Sequence, residues 1–256
     1  MDREAKRTLI VALDHGIHFG PVPGIENLGE TIRKVIEGAP DGLLLSPGAA
    51  ATFSDLLLGR NAPSVVLRAD RYSVKPDAIK QIASATDAAS LGADALIVFM
   101  IAGFEDDNVS LQNIEHVARF GSECRRIGMP LIVEVTAWGS KIPEDEKLDV
   151  KYLQPMARQA AELGADLLKI PYPEDMESFR KILRTCPVPC TVLGGPKTEK
   201  VRDFLQSIKD AVDAGAAGAT VGRNVWAHEN PVGMVRALRM IIHENSSVDM
   251  AAKQLT

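Results

Sequence analysis

A chain of 256 residues, 46 % apolar and 25 % charged, has the composition of an ordinary soluble globular protein and can bury a large core without staples. A formal charge of −5 argues against a nucleic-acid partner, although a local cationic pocket can still hold an anion. No apolar run approaches the ~20 residues of a membrane helix, and the charged start Met1-Asp2-Arg3-Glu4 lacks the apolar segment of a signal peptide.

Eight short apolar runs alternate with longer segments of helical period. They lie at 8–13, 41–45, 64–68, 93–99, 130–136, 165–170, 189–193 and 218–222. Such alternation predicts parallel strands joined by helices. A junction recurs at Leu91-Gly92-Ala93-Asp94, Leu163-Gly164-Ala165-Asp166 and Ala214-Gly215-Ala216-Ala217, where glycine can stop a helix and a small residue opens the next strand. A doubly wound open sheet would show the same rhythm. Eight units and the lack of a G-x-G-x-x-G after the first run favour a (β/α)8 TIM barrel, a single domain over 1–256. The three cysteines, Cys124, Cys186 and Cys190, contain no C-x-x-C pair and read as free thiols of a cytoplasmic protein.

In a barrel of this kind the chemistry sits at the C-terminal strand ends. The first run ends in Asp14-His15-Gly16. Asp14 can orient a hydroxyl, move a proton or merely cap a turn, and His15 beside it is a candidate substrate-binding group. The histidines have no H-x-x-x-H spacing, and His116 and His243 fall on predicted outer helices, so no metal is expected. The fifth run carries Glu134 and Thr136, which share a strand face directed either inward, towards Lys169, or out to the helix layer. The sixth run ends in Leu167-Leu168-Lys169-Ile170-Pro171-Tyr172. An ammonium in an apolar strand is costly to desolvate, and the neutral amine is a nucleophile for a ketone. The other readings of Lys169 are a snorkelling side chain or a pair with a neighbouring carboxylate such as Asp166. Lys141 and Lys197 fall in predicted loops. The last two runs end in Gly194-Gly195-Pro196-Lys197 and Gly222-Arg223-Asn224, at the two strands where such barrels hold phosphate. Each glycine cluster alone would pass for a plain turn.

Together A-L-D-H-G at 12–16, L-L-K at 167–169, G-G-P-K at 194–197 and V-G-R-N at 221–224 resemble the class I aldolases of the archaeal fructose-bisphosphate aldolase type, in the DeoC/FbaB/LacD superfamily. The resemblance spans nearly the whole chain. It implies a lyase acting on a phosphorylated keto sugar. Lys169 would be the Schiff-base lysine and Asp14 the D-H-G aspartate. Gly194, Gly195, Gly222 and Arg223 would form the phosphate cradle. It further implies no cofactor, and a homo-oligomer built on rings of five. One segment departs: where these aldolases carry W-M-Y-P-R-G, with tyrosine as proton donor, the chain reads Glu134-Val135-Thr136-Ala137-Trp138-Gly139. Thr136 stands at the tyrosine position, and its hydroxyl is a far weaker acid than a phenol. The V-T-x-x-G pattern resembles instead the 3-hydroxy-5-phosphonooxypentane-2,4-dione thiolase branch, as do F-G-P at 19–21, V-V-L-R-A at 65–69 and C-P-V-P at 186–189. That branch uses the same lysine to pass an acetyl group to coenzyme A. The 2-amino-3,7-dideoxy-threo-hept-6-ulosonate synthases keep the tyrosine and fit less well. Glu134 belongs to neither main pattern and is the candidate for the tyrosine's role. A sugar-phosphate-binding barrel without catalysis is the third reading, which a buried lysine argues against.

Overall fold

Runs such as Ala95–Ile101 (ALIVFMI) and Leu131–Thr136 (LIVEVT) are buried at every position. Strands covered on both faces need that continuous apolar pattern. The computed structural model describes residues 7–74, 77–173, 175–198 and 200–255; the charged segment 1–4 lies outside them. The strands are β1 (Thr8–Ala12), β2 (Gly42–Leu45), β3 (Ser64–Arg68), β4 (Asp70–Val74), β5 (Asp77–Gln81), β6 (Ala95–Ile101), β7 (Leu131–Thr136), β8 (Leu167–Pro171), β9 (Cys190–Leu193) and β10 (Gly218–Val221). Eight of them are ordered as a closed parallel barrel, β1-β10-β9-β8-β7-β6-β3-β2. The (β/α)8 barrel expected from the sequence is therefore the fold, and each predicted run lands on one barrel strand, its ends shifted by two residues at most.

The recurring junctions behave as read. Gly92, Gly164 and Gly215 have φ of 71°, 111° and 116°, the left-handed region that stops a helix and that a side chain would resist. The sequence reading did not foresee β4 and β5, which pair antiparallel with Tyr72 opposite Ile79. Among the described residues no helix is long and apolar enough to cross a membrane.

The chain divides into two compact units, Val66–Cys190 and the residues flanking it on both sides. Within Val66–Cys190, Arg68 is in register with Ile97, Phe99 with Glu134, and Glu134 with Lys169. Residues two apart share a strand face, so Arg68, Ile97, Phe99, Glu134 and Lys169 lie on one face. In the flanking unit β1 lies between β10 and β2, with Leu9 opposite Ala219 and Ile10 opposite Gly42.

Candidate active site

On that shared face of the Val66–Cys190 unit, Lys169 is 6 % exposed and Glu134 3 %. The Nζ of Lys169 lies 2.8 Å from Oε1 of Glu134. Glu134 is thus directed towards Lys169, and the expected pairing of Lys169 with a neighbouring carboxylate is observed, though with Glu134 rather than Asp166, whose carboxylate accepts the Leu131 N–H at 2.9 Å. The second oxygen of Glu134 accepts a short hydrogen bond from Nη2 of Arg68. Arg68 is 1 % exposed and its guanidinium stacks 4.0 Å above the Phe99 ring. Its Nη1 lies 3.5 Å from Oδ1 of Asp70, a fully buried carboxylate whose Oδ2 accepts the Phe99 N–H at 2.8 Å.

The same Asp70 oxygen lies 3.0 Å from Nε2 of His116. Arg119 approaches the other ring nitrogen at 3.2 Å. Arginine can only donate, so Nδ1 accepts and Nε2 carries the proton given to Asp70. Four buried charges of alternating sign, Lys169, Glu134, Arg68 and Asp70, therefore run to His116. His116 sits, as expected, on an outer helix, Asp107–Ile127, and its ring turns in to Asp70. The other outer-helix histidine, His243, pairs with Asp41 at 2.8 Å.

Thr136, two residues beyond Glu134 on the same face, is fully buried, and its Oγ1 makes no hydrogen bond among the described residues. Lys141, one rival of Lys169, lies 3.7 Å from Asp107 on the surface.

The flanking unit holds the remaining candidates. Asp14 is buried just past β1, with Oδ1 3.6 Å from Nδ1 of His15. The His15 ring meets Trp226 edge-on at 5.2 Å, and the indole N–H donates to the Ala12 carbonyl at 3.0 Å. Gly222 has a specific reason to be glycine: a Cβ there would lie 2.7 Å from the His15 ring and 2.8 Å from the Ala12 carbonyl oxygen. The loops after β9 and β10 are pinned together by Asn224. Its Nδ2 donates to the carbonyls of Gly194 (2.8 Å) and Pro196 (3.0 Å), and its Oδ1 accepts the Thr198 N–H (2.8 Å). Lys197 adds a bond from Nζ to the Ala227 carbonyl at 2.8 Å. Arg223 is half-buried, its Nε makes no hydrogen bond among the described residues, and burial lowers its pKa from the ordinary arginine value.

Sequence reasoning missed Arg68, Asp70, His116 and the role of Asn224. Arg68 lies in V-V-L-R-A and Asn224 in V-G-R-N, but nothing local marks their partners. It also read the cysteines singly: the thiol of Cys190 donates to Cys186 at 3.7 Å. Among the described residues no group of three His, Cys, Asp or Glu side chains is arranged to hold a metal ion.

The fold and the matches that follow place the chain among the aldolases, beside solved relatives of the Schiff-base class. Residues 8–228 match the family described as DeoC/LacD family aldolase, and the chain belongs to that family. An uncharacterized aldolase of Saccharolobus solfataricus is 35 % identical over 257 residues, covering 97 % of this chain and 94 % of that protein. The 2-amino-3,7-dideoxy-D-threo-hept-6-ulosonate synthase 1 of Archaeoglobus fulgidus is 32 % identical over 247 residues, covering 95 % and 88 %. An archaeal fructose-1,6-bisphosphate aldolase, solved with its catalytic lysine bound to the carbinolamine intermediate of the substrate, superposes with a TM-score of 0.83. It is 27 % identical and is covered to 95 %, against 94 % of this chain.

Proposed function

We propose that this protein makes or breaks a carbon–carbon bond in a phosphorylated keto sugar or a related phosphorylated ketone, through an iminium on Lys169. The observation that carries the reading is the buried 2.8 Å contact between Lys169 Nζ and Glu134 Oε1. A buried amine beside a proton acceptor can give up its proton and attack a carbonyl carbon. Glu134 then returns the proton to the carbinolamine hydroxyl, which leaves as water. The iminium accepts the electron pair released when the neighbouring carbon–carbon bond breaks, and the enamine so formed is protonated and hydrolysed. Asp14 takes the hydroxyl proton whose loss starts the cleavage. Glu134 fills the place of the family's tyrosine, and the Thr136 hydroxyl is left to bind a substrate oxygen.

The phosphate falls to Gly194, Gly195, Gly222, Arg223 and Lys197, with His15 as a further substrate contact. Paired glycines admit an anion close to backbone N–H groups, and Arg223 brings a cation with an uncommitted Nε. The working form is a homo-oligomer of single-domain chains, as the aldolase resemblance implies.

Incubation with a panel of phosphorylated ketoses tests the reading, with aldehyde release and product masses recorded with and without coenzyme A. An aldehyde product independent of coenzyme A is expected. An acetyl thioester formed only with coenzyme A moves the protein to the thiolase branch. Binding without turnover across the panel contradicts both.

A further inference from the structure

Arg68 has no place in the chemistry just described; it is 1 % exposed and packed against Glu134, Asp70 and the Phe99 ring. Stability alone does not call for it, since a buried charge network is often no more stable than well-packed apolar side chains of similar volume. What the network supplies is direction. Glu134 divides its two oxygens between two cations, one to Arg68 and one to Lys169. A carboxylate held only by Lys169 could swing about its last torsion, whereas one clamped from behind presents Oε1 at a fixed distance from Nζ.

Arg68 is supported in turn: Asp70 lies within ion-pair distance of Nη1, at 3.5 Å, and Asp70 is fixed by the Phe99 N–H and by His116. His116 is held in one tautomer by Arg119, which also donates to Gln81 of β5 at 2.7 Å. That end of the chain opens on a cleft of about 640 Å³, lined among others by Asp77, Lys80, Gln81, Gln112 and Arg119. A row of supports therefore runs from the surface to the lysine, each member orienting the next.

The geometry points to Arg68 as a positioning residue for proton transfer between Lys169 and Glu134, with Asp70 and His116 as its supports. This rests on the reading of Lys169 and Glu134 given above. Geometry at the reacting centre is sensitive: a displacement of about 1 Å can cost on the order of 100-fold in rate.

The test is a cycle of Arg68→Met and Glu134→Gln, singly and together, read by kcat, KM and the rate at which borohydride traps the substrate on Lys169. Arg68→Met is expected to lower kcat and the trapping rate on the order of 10- to 100-fold with little change in KM. In the Glu134→Gln background the same substitution should cost nothing further, because Arg68 acts through Glu134. Equal losses in both backgrounds, a loss carried by KM, or no loss overturns the proposal while leaving the lysine chemistry standing. No adduct on Lys169 in the unaltered protein overturns the underlying reading, and this inference with it. Should Arg68→Met fail to fold, the isosteric Asp70→Asn takes its place in the cycle and must show the same dependence on Glu134.

Discussion

Replacing Glu134 by glutamine keeps the side chain's shape and removes its charge, which makes it the sharpest perturbation of this site. In the native protein each carboxylate oxygen faces a cation, Lys169 at 2.8 Å and Arg68 closer still. An amide can offer its oxygen to only one of them, so its NH2 group must face the other donor. Breaking a buried charge pair costs about 3–5 kcal/mol. Arg68 keeps Asp70 as a counter-ion, so the lower end is expected. At ~2–4 °C per kcal/mol for a chain of this size, the melting temperature should fall by about 6–12 °C. The consequence for rate is separate. Lys169 remains, so the borohydride adduct should still form, but turnover should drop at least ~100-fold, the low end of a general acid–base contribution. Thr136→Val should be milder. Calorimetry, steady-state turnover and intact-mass spectrometry on one preparation give all three numbers. Near-normal turnover with full adduct formation would refute the role assigned to Glu134 and return Asp14 or an ordered water as proton carrier. An unchanged melting temperature would refute the buried charge network itself.

Arg223→Ala should weaken binding of a phosphorylated ligand by about ten- to a hundredfold, the worth of a charge-assisted contact of ~1.5–3 kcal/mol, while sparing its dephosphorylated analogue. Equal losses by titration calorimetry would make Arg223 structural. The Cys190 thiol donates to Cys186, and despite partial burial this lowers the Cys186 pKa to about 7. Iodoacetamide should therefore label Cys186 before Cys124 and Cys190, with half-maximal rate near pH 7, and Cys190→Ala should move that midpoint up towards 9. Preferential labelling of Cys124 would contradict this. Burial pushes the Asp41 carboxyl up, but hydrogen bonds with His243 and the Leu9 N–H outweigh it and leave the pKa below the ordinary 3.8. A depressed folded-state value contributes stability at pH above 3.8, lost as the pH falls through the folded-state value. Asp41→Asn should accordingly lower the melting temperature by about 3–10 °C at pH 6, and the gap should close in acid. A gap of constant size down to pH 2 would contradict the assignment.

The barrel strands were legible because strands buried on both faces leave unbroken apolar runs, and Lys169 was legible because it interrupts one. The hairpin of β4 and β5 was not. Its segments DRYSV and DAIKQ mix charged and apolar residues, and Lys80 and Gln81 of β5 are exposed, so no continuous pattern marks them. The position of Glu134 on the strand was readable and its direction was not, since either face of a barrel strand can be buried. Direction is settled by Arg68, which lies 66 residues away in sequence, and no spacing rule reaches that far. The helix carrying His116 was readable, but the contact of its ring with Asp70, 46 residues distant, was not. Asn224 was visible as part of V-G-R-N, but its contacts with Gly194, Pro196 and Thr198 are made by folding alone.

The central claim is that Lys169 is the nucleophile, and borohydride trapping followed by peptide mapping tests it most directly. Incubation with a phosphorylated ketose and borohydride should add the mass of one reduced substrate to the peptide carrying Lys169. The adduct should be absent from Lys169→Met. An adduct that persists in Lys169→Met, or that maps to Lys141 or Lys197, would contradict the account.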